Sequence, residues 1–489
     1  MNILLITLDQ FRGDCLSAAG HPMVQTPNLD RLSREGLRLA RHYGQSAPCG
    51  PARASLYTGL YQMTHRVVAN GTPLDARFDT IATAARRAGY VPTLFGYTDQ
   101  SVDPRQTSGP DDPRLATYEG VAPGFEVGLH LPMDRPTPWL SWLGDLGHAV
   151  PPGPHAALAS EPDRPAEHSM AAFVTNRMID WLRTQERPWF AHLSHLRPHP
   201  PFAAAGRFAT MYDPADVPPA VPASGDLHPF HQRLMGGRGM AAPEASALRR
   251  LKAQYFGMIS EVDHQLGRLW AALEAHGDWE NTFIVVTADH GEQLGDHGLV
   301  GKGGFFEESY HLPGLIRDPR PGAVRGEAVE QFTENIDVFP TLCEAMGLEI
   351  PAQCDGLPLT QFLRGETPPW WREATYWEWD WRGGLIADGE NPWPWDRRLE
   401  RRNLSVRRSL DGAYVHFADG TSICYDLAAN PQWAVQVADP VRILPQAQAL
   451  LTWRARHADR TLTGMLVKDG GIGRWPVMPT GWGEATDGS

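Results

Sequence analysis

Two short apolar runs limit what this chain can fold into more than any other feature. They are residues 2–8, Asn-Ile-Leu-Leu-Ile-Thr-Leu, and residues 282–287, Thr-Phe-Ile-Val-Val-Thr. Both are too short to span a membrane, and β-branched residues dominate the second. Such runs read as strands buried on both faces, as in a parallel sheet covered by helices. The first stops at Asp9-Gln10, the second at Ala288-Asp289-His290-Gly291-Glu292. Ligands of open α/β sheets gather at the carboxyl ends of the strands, so an acid just past a buried strand is a site candidate. A helix-capping aspartate is the plainer alternative.

Helical patterns fill the intervals. Thr26-Pro27 opens one with Leu29, Leu32 and Leu37; Asp79-Thr80 caps another through Ala88; Ser169 to Gln185 is amphipathic; Pro243 to His276 is long and stops at Gly277. Asn335 to Met346 and Leu359 to Leu363 follow. Strands alternating with helices over 489 residues predict an α/β class with one large domain and a smaller one.

A third stretch carries the chemistry. In Ser46-Ala47-Pro48-Cys49-Gly50-Pro51-Ala52-Arg53-Ala54-Ser55, Pro51 suits the first turn of a helix, which puts Cys49 at its mouth. Unpaired N–H groups and partial positive charge there favour an anion or an anionic nucleophile. Arg53 adds a fork of donors suited to carboxylates or phosphoryl-like oxygens. A buried structural cysteine is the bland reading.

The order Cys-x-Pro-x-Arg followed by Ala-Ser resembles the sulfatase signature of the alkaline phosphatase superfamily. The wider run Gln45 to Tyr61, continued by Asn70-Gly71-Thr72-Pro73-Leu74-Asp75, resembles the phosphonate monoester hydrolase branch. Gly89 to Asp99 is similar to the second sulfatase signature, with a departure: sulfatases carry a lysine and, two residues on, a histidine where this chain has Tyr97 and Asp99. That removes a cation and a base and points to the phosphonate branch. Pro-His-x-Pro at Pro198 to Pro201, after the strand Trp189 to Leu193, resembles the loop that presents a histidine to substrate; His195 is a weaker candidate.

The resemblance implies an alkaline-phosphatase-like α/β/α sandwich with a small C-terminal antiparallel-sheet subdomain. The expected division is residues 1–370, with an irregular excursion over the site at about 101–167, and residues 371–489. It also implies that Cys49 is converted to formylglycine by a maturation system. Asp9, Gln10, Cys49, Asp289 and His290 would hold one divalent metal. Two carboxylates, an amide and an imidazole suit manganese, calcium or magnesium more than a thiolate metal. The resemblance implies calcium for sulfatases and manganese or a similar ion for the phosphonate branch, and the imidazole with Gln10 favours manganese. Cys49, Arg53, His199 and Lys302 are the expected catalytic residues, and Asn70, Tyr97 and Thr98 the expected substrate donors. The metal, Lys302 and Arg53 outweigh the two aspartates, so the expected substrate is a small anionic ester: a phosphonate monoester, a phosphodiester or, promiscuously, a sulfate monoester. An arylsulfatase or choline-sulfatase-like hydrolase is the second reading, and a metal-binding pseudoenzyme the third.

Composition matters for partners and compartment. A formal charge of −13 argues against nucleic acid and anionic membranes, so an anionic substrate needs local positive charge. The five cysteines are scattered without zinc-ligand spacing. With neither a leader pattern nor a membrane-length run, a cytoplasmic location is expected. Beyond Thr367, tryptophans 370, 371, 377, 379, 381, 393 and 395 crowd a short region and are expected to pack a subdomain or a homodimer or homotetramer contact. Segments 403–410, 413–417 and 423–426, with Asp411-Gly412 as a turn, predict an antiparallel sheet capped by a helix over 443–457. Arg397 to Arg408 reads as a solvated face.

Overall fold

In the computed structural model, strand Asn2–Leu8 (β1) is buried at every position and sits between two parallel neighbours, Phe190–His195 (β5) and Thr282–Thr287 (β6). The structure describes all residues except 187, 224–226, 238, 243, 381–402, 459–464, 469–470 and 475–489. The other strands of this sheet are β2 (Leu37–Tyr43), β3 (Pro92–Gly96), β4 (Glu126–His130), β7 (His311–Leu312), β8 (Leu315–Arg317) and β9 (Glu327–Glu334). The order is β4-β3-β5-β1-β6-β8-β2-β7, with β9 on β2.

The alternation of side chains along β1 divides the core. Leu4, Ile6 and Leu8 face one layer, made by helices Pro27–Glu35, Met170–Leu182 and Ala245–His276. Ile3 and Leu5 face the other, where Leu56, Ala84 and Leu342 lie on helices Cys49–Thr58, Ile81–Arg87 and Val338–Ala345. Each fully buried leucine or isoleucine removes apolar surface worth about 1.5–3 kcal/mol from water. The result is the α/β/α sandwich the sequence implies.

Some elements differ from expectation. Leu37 begins β2 rather than ending the first helix, because that helix stops at Glu35 and Gly36 turns extended. The excursion is less irregular than its sequence: it adds β4 to the sheet edge beside β3 and contains helices Thr137–Asp145 and Pro154–Ala159. β4 is an edge strand exposed at its first three positions, so no apolar run announces it. β2 and β9 alternate apolar with charged residues and are concealed for the same reason.

The C-terminal sheet is antiparallel, in the order β10 (Ala374–Asp380), β11 (Asn403–Ser409), β12 (Gly412–Phe417), β13 (Ser422–Asp426), and helix Pro440–Arg456 lies against it. It shares a core with the large sheet. Trp377, fully buried, stacks between Tyr43 of β2 at 5.9 Å and Tyr310 at 4.8 Å, and the Glu378 N–H donates to the Gln45 carbonyl at 2.9 Å. Trp453 stacks on Tyr376 at 4.7 Å. Tryptophans 377, 433 and 453 are therefore packing residues, whereas 381, 393 and 395 lie outside the described residues. The expected solvated face at Arg397 to Arg408 is described only from Asn403. There Arg407 and Arg408 are half-buried, and Arg408 Nε donates to Glu307 at 2.8 Å.

Candidate active site

The register of β1, β5 and β6 brings the site together. Thr7 pairs with Thr287 and Leu8 with His195, so the residues just beyond these strands emerge side by side at the carboxyl edge of the sheet. Gln10 turns with a left-handed backbone, φ 66°, and its N–H donates to Asp289 Oδ1 at 3.1 Å. The His290 N–H donates to the same oxygen at 2.8 Å. At the end of β3, Gly96 crosses so close to β5 that a Cβ there would lie 2.0 Å from the Ser194 carbonyl oxygen, at φ +114°. Only glycine permits that approach, which delivers Tyr97 to the centre.

Cys49 is the first residue of helix Cys49–Thr58, and all ten residues of that helix are buried. Its Sγ lies 3.1 Å from Lys302 Nζ and 3.2 Å from His290 Nε2, with Asp9 Oδ1 at 4.0 Å. Among the described residues, Asp9, Cys49, Asp289 and His290 offer ligand atoms that all lie within 4.8 Å of one another. His290 Nδ1 faces the Gly291 carbonyl at 3.1 Å, so it carries the ring proton and Nε2 presents a lone pair to the cluster. Burial first, against the pull of Asp289, lowers this imidazole to about 4, which keeps it neutral and ligand-ready.

The two carboxylates behave as a pair. Burial first and Asp289 second raise Asp9. Burial also works to raise Asp289, yet His290, Arg53, Lys302 and the Gln10 N–H together hold it below the ordinary carboxylate range. Two carboxylates facing one neutral imidazole in a dry site are relieved by a divalent cation, so the donor set fits one. Gln10 adds an amide oxygen. Its Nε2 donates to Glu292 and its Oε1 accepts from Lys302 Nζ at 3.2 Å.

Arg53 is fully buried and its fork turns to the protein. Nε reaches Asp289 at 2.9 Å, one terminal nitrogen Asp9 at 3.2 Å, and the other Ser194 Oγ at 2.8 Å and the Tyr97 carbonyl at 3.1 Å. Of the two partners the sequence left open for it, carboxylates or phosphoryl-like oxygens, it takes the carboxylates. The Tyr97 hydroxyl donates to Asp9. Thr98 Oγ1 donates to the Gly120 carbonyl at 2.8 Å and accepts from the Ala122 N–H at 2.7 Å, so it fastens the excursion. Asn70 Oδ1 accepts the Gly50 N–H at 2.9 Å beside the helix start. His199 stands on the loop after β5 with Nδ1 2.8 Å from the Pro200 carbonyl; burial first and Lys302 second push its imidazole well below the ordinary value. His195 is buried beneath, and neither ring nitrogen has a hydrogen-bond partner in the structure.

Two site residues had no role in the sequence reading. Glu292 accepts N–H bonds from Leu294 at 3.0 Å and from Gly301 as well as the Gln10 amide, so it orients the amide and shapes the turn toward Lys302. Asn335 accepts from Thr287 Oγ1 at 2.7 Å and donates to the Ala288 carbonyl at 2.7 Å, bracing the backbone just before Asp289. Glu292 could have been noticed as the charged end of Asp-His-Gly-Glu; Asn335 has no local signal.

The sulfatase family model matches residues 1–348. The chain belongs to the sulfatase family. It is an enzyme of the alkaline phosphatase superfamily and a hydrolase. The crystal structure of phosphonate monoester hydrolase of Agrobacterium radiobacter is similar with TM-score 0.88 and 42% identity, over 97% of this chain and 99% of that one. The multifunctional alkaline phosphatase superfamily protein PehA of Trinickia caryophylli is 38% identical over 94% of this chain and 96% of its own length. An arylsulfatase of Clostridium perfringens is 30% identical over 76% and 79%. No helix among the described residues is long and apolar enough to cross a membrane.

Proposed function

We propose that the enzyme hydrolyses monoanionic phosphonate monoesters and phosphodiesters, with some acceptance of sulfate monoesters, through a formylglycine formed from Cys49. The observation that carries this reading is the position of Cys49: at a helix start, with Lys302 Nζ and His290 Nε2 at 3.1 and 3.2 Å and two carboxylates alongside. The likeness to a phosphonate monoester hydrolase over nearly the whole chain supports the branch. So does Tyr97, a neutral hydroxyl bonded to Asp9 at a position where the sulfatase signature has a lysine.

Asp9, Gln10, Asp289 and His290 would hold a divalent ion, with manganese favoured by the imidazole and amide. Bound there, such an ion supplies Lewis-acid polarisation of the ester oxygen. The protein supplies the rest. Arg53, bonded to both carboxylates from beneath, favours their ionised forms, against the burial that opposes it most at Asp9. Burial works to lower Lys302, yet Asp9 and Asp289 keep it charged, so that it offsets negative charge that develops beside residue 49. His199 has Nδ1 engaged by the Pro200 carbonyl, so Nε2 is the nitrogen left for the leaving oxygen. A bound anionic ester favours the second proton there that burial and Lys302 disfavour in the free site.

The arylsulfatase reading is favoured by one observation, the arylsulfatase of Clostridium perfringens among the relatives. The deciding measurement is the mass of the tryptic peptide His42 to Arg53, from protein made with a formylglycine-generating system. An aldehyde in place of the thiol is expected, followed by higher kcat/KM for an aryl phosphonate monoester than for the matching sulfate. Unmodified cysteine alone rejects the nucleophile; the reverse rate order selects the sulfatase reading.

A further inference from the structure

The loop after β5 has a problem that follows from its sequence. Pro198, Pro200 and Pro201 carry no N–H, so Leu196 to Ala205 cannot build a ladder of its own. Buried carbonyls without donors are costly. Arg197, with a fully buried side chain, supplies the donors instead. One terminal nitrogen donates to the carbonyls of His199 and Pro201, both at 2.9 Å. The other donates to the Ala203 carbonyl at 3.2 Å and the Leu158 carbonyl at 3.4 Å, and to Glu161. Nε donates to Glu161 Oε2 at 3.1 Å.

Glu161, also fully buried, is held in turn. Its Oε1 accepts the Met170 N–H at 2.8 Å, at the start of helix Met170–Leu182. Leu158 and Glu161 belong to the excursion, so one guanidinium ties the excursion, a core helix and the His199 loop to a single point. A buried ion pair is weak evidence for stability, since hydrophobic replacement of such a pair is often neutral or favourable. A fork that gathers the carbonyls of residues 199, 201 and 203 is strong evidence for a fixed loop curve.

We propose that Arg197, seated on Glu161, is the positioning residue that aims His199 at the leaving oxygen. This rests on the role given to His199 above. Loss of the fork displaces the imidazole without removing it, and a displacement of about 1 Å costs up to about a hundredfold in a positioned group. The loss is concentrated in substrates that need protonation, since a good leaving group departs without it.

The test compares wild-type metal-loaded enzyme with Arg197→Lys, which keeps the charge and loses the fork, and with Glu161→Gln, which keeps the shape and weakens the seat. The probes are aryl methylphosphonate monoesters of graded leaving-group acidity. For Arg197→Lys we expect about tenfold loss of kcat/KM with the poorest leaving group, little with the best, and unchanged metal content. Glu161→Gln should tilt the series the same way by less, and it carries the test if Arg197→Lys does not fold. In a His199→Ala background neither substitution should add a further loss. A uniform loss across the series, or full additivity with His199→Ala, overturns the proposal. If wild-type enzyme turns over none of the series, the proposed reaction fails instead. The positioning claim is then judged by the imidazole NMR signals: in Arg197→Lys those of His199 should move and those of His290 stay, and unchanged His199 signals overturn it.

Discussion

The two walls of the site are built by different means. On one, Asp9, Asp289 and His290 follow directly from β1 and β6, whose backbones pair in parallel from Asn2 with Thr282 to Thr7 with Thr287. Their positions are inherited from a ladder of main-chain hydrogen bonds and from strands with no exposed residue. On the other, His199 hangs on a proline-rich loop with no ladder, and its course is set by the side chain of Arg197. A wall made from register is robust to change in any one side chain around it. A wall made from one guanidinium can be moved by a single substitution that leaves the metal-binding face intact.

That contrast can be broken or sharpened by measurement. The largest effect is expected from the register-built wall. Asp289→Asn removes one anionic ligand atom and the acceptor of the Arg53 Nε bond, so bound divalent metal, measured by elemental analysis, should fall well below one per chain. The rate should fall with it by a thousandfold or more, about 4 kcal/mol of barrier. Full metal occupancy in that variant would contradict the ligand assignment.

His199→Ala comes next and should separate the walls. A loss on the order of a hundredfold for poor leaving groups is expected, with metal stoichiometry unchanged. If metal is lost as well, the two walls are not independent. Glu292→Gln is a smaller perturbation behind the strand ends, because it disturbs the acceptor that orients the Gln10 amide. Metal affinity should weaken by about tenfold in competition with a chelator, while saturating metal restores most of the rate. Unaltered affinity would remove Gln10 from the ligand set or Glu292 from its support.

The smallest effect lies beneath the loop wall and concerns stability. Glu261 accepts the Ala205 N–H at 3.2 Å, and its carboxyl is pushed up to about 7 by burial first and by Glu161 second. A raised carboxyl favours the folded state most when protonated. That contribution is complete below the ordinary value of 4.5 and is lost as pH rises through about 7. The unfolding free energy of Glu261→Gln from denaturant titration should therefore exceed wild type at pH 8 by an amount on the order of 1 kcal/mol, and the difference should vanish near pH 4. An equal shift at both pH values would assign the effect to packing.

Much of the framework was legible because it is encoded locally. The strand-end acids at Asp9 and Asp289, the helix that starts at Cys49 and the αL stop at Gly277 follow from short-range rules about buried strands, helix termini and glycine. β2, β4 and β9 were concealed because an edge or half-exposed strand needs no continuous apolar run. The excursion looked irregular because its one strand borrows regularity from β3.

By itself, then, the sequence determined the strand ends, the helix start and the residue types that meet there. Each is set by neighbours close along the chain. Which partner each polar group takes was decided only by the tertiary structure. Arg53 reaches across to Asp289, Tyr97 to Asp9, Gln10 to Glu292 and Arg197 to Glu161, and Thr98 gives its hydroxyl to the excursion. A buried donor takes whichever acceptor the folded backbone brings within about 3 Å, and no spacing rule along the chain specifies that meeting.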